Sequence, residues 1–93
     1  MLYLPEKAYQ LDGGVGYFLF YRDEYNVVNS VEAYTDEYSP PPHIVKYQSD
    51  KEIEEVEQNL ISEDAIKVNA HDYRINIDEQ GRVEIRGRIK NPY

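Results

Sequence analysis

The stretch Tyr17-Phe18-Leu19-Phe20-Tyr21 decides how this chain must fold. A strand sends successive side chains to opposite faces, so a half-buried strand alternates apolar with polar residues. Here both parities are apolar or aromatic: Tyr17, Leu19 and Tyr21 point one way, Phe18 and Phe20 the other. Both faces of the strand therefore need cover. A tyrosine ring tolerates a wet boundary better than a phenylalanine ring does. Phe18 and Phe20 are thus expected in the core, and Tyr17, Leu19 and Tyr21 on a sheet face left open for a partner.

Working outward, Asp12-Gly13 is a two-residue turn signal that joins a strand over 8–11 to the central run. Gly13-Gly14-x-Gly16 lacks the spacing of a phosphate-binding loop and leads into a strand, so these glycines serve turns and bulges. After the polar break at 23–26, residues 27–35 return antiparallel, which gives N-terminal β hairpins over 8–35. Residues 36–42 end in Ser39-Pro40-Pro41-Pro42 and read as an extended loop, because proline lacks a ladder donor and fixes φ. A short strand over 43–47 follows.

Ser49-Asp50-Lys51-Glu52 is a capping box, and it opens a helix over 50–62. Ile53, Val56, Leu60 and Ile61 form its apolar stripe, with Glu57 intruding into the same arc. At 1.5 Å per residue this helix is about 18 Å long, enough to cover one sheet face. A short strand over 66–70 leads into a C-terminal β hairpin over 73–89. There Tyr73, Ile75 and Ile77 alternate with polar residues, as do Val83, Ile85 and Ile89, around the turn Glu79-Gln80-Gly81. The expected fold is α+β: one domain over 1–93, with an antiparallel sheet of about 4–6 strands and one amphipathic helix packed on one face.

The formal charge is −8, with an isoelectric point near 4.6. A net anion is repelled by nucleic acid and by anionic membrane, and its natural counterpart is a basic protein. The chain has no cysteine, which removes disulfides, zinc–thiolate sites and thiol nucleophiles. Residues 1–6 lack the charged and apolar regions of a signal peptide, and no apolar run approaches the ~20 residues that span a bilayer. A cytoplasmic, soluble protein is expected. Ten tyrosines against two phenylalanines and no tryptophan suit strands, boundaries and interfaces.

Catalytic chemistry finds little support. His43 follows three prolines; His71 and Asp72 are neighbours that a strand would point apart. There is no serine in a strand-turn-helix elbow and no Asp-x-Asp-x-Asp-Gly loop. No catalytic residue, metal or cofactor is expected.

Charge is polarised along the chain. Residues 1–66 hold 14 acidic and 4 basic residues, whereas 67–93 hold 4 acidic and 6 basic. Glu52, Glu54 and Glu55 are expected to form an acidic helix face for a basic partner. Arg82, Glu84, Arg86, Arg88 and Lys90 share one strand parity, so Arg82, Arg86 and Arg88 would form a basic strand face. Such charges protect an edge strand from aggregation, or they bind an acidic surface. These features describe a small non-catalytic interaction protein, of the inhibitor, adaptor or phage or plasmid accessory type, acting through a Tyr-rich sheet face and an acidic helix. One alternative is a structural homo-oligomer, such as a homodimer, assembled through that sheet face. Another is a single-stranded nucleic-acid binder that stacks bases on tyrosine and meets phosphates with the arginines, which the net charge disfavours.

Overall fold

The computed structural model describes residues 1–34 and 42–87. The proline-rich loop expected over 36–42 therefore falls almost wholly outside the described residues, as do Arg88, Ile89 and Lys90. The strands are β1 (Leu2–Tyr3), β2 (Pro5–Leu11), β3 (Gly16–Arg22), β4 (Val28–Tyr34) and β5 (His43–Lys46), then β6 (Ile66–Val68), β7 (Arg74–Ile77) and β8 (Val83–Arg86). The helix α1 spans Asp50–Ser62, between β5 and β6. The α+β class and the helix limits agree with the expectation.

The strands form two antiparallel sheets: five strands in the order β5-β4-β3-β2-β6, and three in the order β1-β7-β8. The two-sided β3 is the central strand of the larger sheet, and each face has its own cover. On one side Tyr9, Phe20 and Tyr47 pack with Leu60 of α1, supported by Leu11, Phe18, Val28, Ile53 and Val56. On the other, Ala8, Leu19, Tyr21 and Val31 pack against Tyr73 and Ile75, with Ile77, Val83 and Ile85 joining from the smaller sheet. The molecule is thus three layers deep: helix, sheet, sheet.

Local chemistry sets these layers. Between β2 and β3 the pairing runs Pro5 to Tyr21 but Lys7 to Phe20, so two residues of β2 answer one of β3. This bulge at Glu6 changes parity. Pro5 then lies on the side of the smaller sheet, whereas Lys7 and Tyr9 face α1. The β3–β4 turn is built on Asp23, whose carboxylate accepts the N–H groups of Tyr25 and Val27 at 2.9 and 3.0 Å and the Asn29 amide at 3.0 Å. Those bonds hold the Asp23 carboxyl below its usual range, the Val27 amide contributing most. Asn26 completes the turn at φ 61°.

At the start of α1, Ser49 Oγ accepts the Glu52 N–H at 3.3 Å, and Glu52 reaches back to the Gln48 N–H at 3.1 Å. The capping box closes one residue earlier than its standard form. One stripe residue departs from expectation: Ile61 is 57% exposed. Its place in the arc is taken by Glu57, which lies between Val56 and Leu60 and meets two polar groups rising from β2.

Candidate functional site

The face carrying Tyr17, Leu19 and Tyr21 is not open. Leu19 is 0% and Tyr21 3% exposed, and Tyr17 is half-buried. Tyr17 meets the ring of Tyr73 at 5.2 Å, and Tyr3 meets Tyr21 at 4.9 Å. The tyrosines of this face are spent between two layers of the same chain, which corrects the expectation of a free sheet face. Docking of a partner there, isologous pairing of two copies through it, and stacking of bases on it all lose the surface they required. The cover comes from the C-terminal hairpin, whose inward residues Ile75 and Ile77 are matched to that face.

The helix side is different. Residues 50–64 hold seven carboxylates and one lysine, so most of the net charge sits on one layer. Glu52, Glu54 and Glu55 are all exposed, as expected. Glu57 serves the fold: it accepts Lys7 Nζ at 2.6 Å and the Tyr9 hydroxyl at 2.7 Å. Burial opposes its ionisation, but these two bonds outweigh burial and hold its carboxyl below the ordinary value. Tyr9 is pushed up to about 12, by burial first and then by the carboxylate it donates to.

Among the clefts bordering α1, two lie between the helix and β2–β4. At its N-terminal half lies one of about 210 Å³, bordered by Glu6, Asp50, Glu54 and Glu57 but also by Lys7 and Arg22. Here the chain answers its own charge, with Lys7 on Glu57 and Arg22 on Glu6, both at 2.6 Å. At the C-terminal half lies a larger cleft of about 400 Å³. Its walls are Leu11, Phe18, Val56 and Leu60; its polar groups are Glu32, Tyr34, Asn59 and Glu63. Among the described residues, no lysine or arginine lines it. The Tyr34 hydroxyl donates to Glu32 Oε1 at 2.8 Å.

Sheet register builds this second cleft. Phe18 stands opposite Glu32 across β3 and β4, and Glu32 opposite His43 at the outer strand. One row along, Tyr34 stands opposite Gly16. A Cβ on Gly16 would come within 2.6 Å of the Tyr34 ring, so the glycine is what lets that ring lie across β3. Glu32 was the missed residue: it shares the inward parity of Val28 and Ser30, and a carboxylate on an inward parity was the available signal.

The basic strand face is less available than the sequence suggests. Arg82 pairs with Asp78 at 3.7 Å and bonds the Gln80 side chain, and Arg86 pairs with Glu84 at 3.2 Å. Arg74 faces Arg86 across the strands and gives two bonds to the carbonyls of His71 and Tyr73. Arg88 lies outside the described residues. His43 and His71 are both exposed.

Among the described residues, no group of three or more His, Asp or Glu side chains converges as a metal site, and no helix is long and apolar enough to cross a membrane. No family model, curated protein or solved structure matches the chain.

Proposed function

We propose that this chain is a non-catalytic interaction protein whose partner is a basic protein, and that it receives that partner on the α1 side. One observation carries the reading: among the described residues, five carboxylates of this side, Glu32, Glu52, Glu54, Glu55 and Glu63, are left without a cation of the chain's own. Among the described residues the ion pairs are Lys7–Glu57, Arg22–Glu6, Lys46–Asp23, Arg82–Asp78 and Arg86–Glu84. None reaches Glu32, Glu52, Glu54, Glu55 or Glu63. Uncompensated charge on one layer speeds and orients the approach of an opposite charge, and like charge turns other partners away.

The reading departs from the one the sequence favoured in its contact surface. The Tyr-rich face is interior, so the acidic helix and the cleft beside it carry the partner. The test is calorimetric titration of the full chain with a mixed Lys/Arg peptide at low and high salt. Binding should weaken steeply with salt and be abolished by the triple change Glu52→Lys, Glu54→Lys, Glu55→Lys. Reversal of Asp78 and Glu79, on the opposite layer, should leave it intact. Equal loss from both sets of variants would show a mere net-charge effect and refute the proposal.

A further inference from the structure

We infer, on the basis of the basic-partner reading above, that the cleft at the C-terminal half of α1 is a socket for one arginine side chain of that partner. These two clefts share an acidic border and an apolar floor, but among the described residues only the first contains cations. Lys7 and Arg22 fill there the role that is vacant among Glu32, Asn59 and Glu63. The chain thus carries, at one end of the helix, an internal example of what the other end lacks.

Three features select a guanidinium. Glu32 comes from β4 and Glu63 from the end of α1, so the carboxylates approach from two sides, as a planar fork with several donors requires. Phe18 and Tyr34 supply aromatic walls on which a guanidinium stacks better than an ammonium does. The volume of about 400 Å³ falls in the range of about 300–1,000 Å³ typical of ligand clefts. It holds a long side chain together with part of the segment that bears it.

Glu63 provides an independent sign. It caps the C-terminal end of α1, followed by Asp64, and the last turn has no basic residue. The C-terminal end of a helix carries partial negative charge and favours cations. Carboxylates there work against the helix, and an external cation removes the conflict.

The test is a heteronuclear NMR titration of the labelled full chain with a capped Gly-Arg-Gly peptide, beside its lysine and citrulline counterparts and spermidine. Saturable shifts should centre on Phe18, Glu32, Tyr34, Asn59 and Glu63, with the arginine peptide tightest and the citrulline peptide silent. Glu32→Gln and Glu63→Gln should each weaken binding about ten-fold, as loss of a charge-assisted hydrogen bond does, and Tyr34→Leu about three-fold. Glu63→Gln should also raise the melting temperature, which a residue kept for stability would not do. If Glu32→Gln fails to fold, the exposed Glu63→Gln carries the same test. Equal binding of the lysine peptide, tighter binding of spermidine, or no shift in the cleft would overturn the socket. Shifts confined to Glu52, Glu54 and Glu55 would overturn the socket and leave the basic-partner reading standing. Failure of the longer basic peptide to bind at all would remove that reading itself.

Discussion

Replacing Ile75 by alanine tests whether the smaller sheet is the true cover of β3. Ile75 is 0% exposed and sits in the middle strand, paired with Tyr3 on one side and Ile85 on the other. It belongs to the same cluster as Leu19 and Val31 of the five-stranded sheet. The substitution removes three carbons, worth about 0.8 kcal/mol each on transfer, and leaves a cavity that close-packed neighbours fill only in part. The expected loss is about 3 kcal/mol, inside the 2–5 kcal/mol found for buried Ile→Ala changes. For a domain of this size that lowers the melting temperature by about 15 °C.

Urea and thermal unfolding followed by circular dichroism give the number, and two companions calibrate it. Ile85→Ala, at a half-buried position on β8, should cost about half as much. Leu2→Ala, at an outward position 61% exposed on β1, should stay within about 0.5 kcal/mol of the parent. If Ile75→Ala proved as mild as Leu2→Ala, the smaller sheet would not be packed on β3. The face of Tyr17, Leu19 and Tyr21 would then be open after all, and the sheet-face reading of function would return.

Four further outcomes follow from named contacts. Tyr9→Phe removes the hydroxyl that donates to the half-buried Glu57 and should cost about 1–2 kcal/mol; a double-mutant cycle with Glu57→Gln should show coupling, and strict additivity would refute the bond. Tyr3 and Tyr9 are both pushed up to about 12, Tyr3 chiefly by its hydrogen bond to Glu24 and Tyr9 chiefly by burial. Because these folded values are raised, their contribution is complete below the unfolded value near 10 and is lost as pH climbs toward 12. Tyrosinate absorbance from Tyr3 and Tyr9 should therefore rise only well above the ordinary tyrosine value of about 10, as the chain unfolds. Asp23, Glu24 and Glu57 are all lowered, so their contribution is complete above about pH 4 and disappears as pH falls through their folded values. Acid unfolding should begin below pH ~4, and a midpoint above it would contradict the hydrogen bonds drawn to these carboxylates. Glu63→Gln should raise stability by about 0.3–1 kcal/mol through relief of the helix dipole, measured by urea titration.

Much of the fold was legible because it is written in local periodicity. The helix limits follow from Ser49 and the spacing of Ile53, Val56 and Leu60, and the C-terminal hairpin from the alternation around Gly81. The need for two covers over β3 was equally plain from Tyr17 to Tyr21. What stayed hidden was which strands share a sheet. Leu2–Tyr3 is too short to show alternation, and its pairing with β7 spans most of the chain. Without that pairing, the hairpin reads as further strands of one sheet and not as a second layer. The error over the tyrosine face has the same origin. Tyrosine at a boundary looks alike whether it meets water or another tyrosine, and here Tyr3 and Tyr73 belong to the layer opposite. The cleft was legible only in part, since Glu32 and Glu63 are brought together by the helix lying across the sheet.

The acidity of the helix layer divides once each carboxylate is asked what it does for the fold. Asp50 and Glu52 stand in the first turn of α1, where the dipole favours them, and Glu52 also closes the cap. Glu57 is neutralised by Lys7 and fixed by Tyr9. Those three need no partner to account for them. Glu54 and Glu55 are exposed, where substitutions usually change stability little. Glu63 and Asp64 oppose the dipole, and Glu32 places a charge on the inward parity of a strand. Two of these three carboxylates stand together. Glu32 and Glu63 border a cleft beside α1 that has no cation among the described residues, and that is where selection for binding, as distinct from folding, would leave its trace.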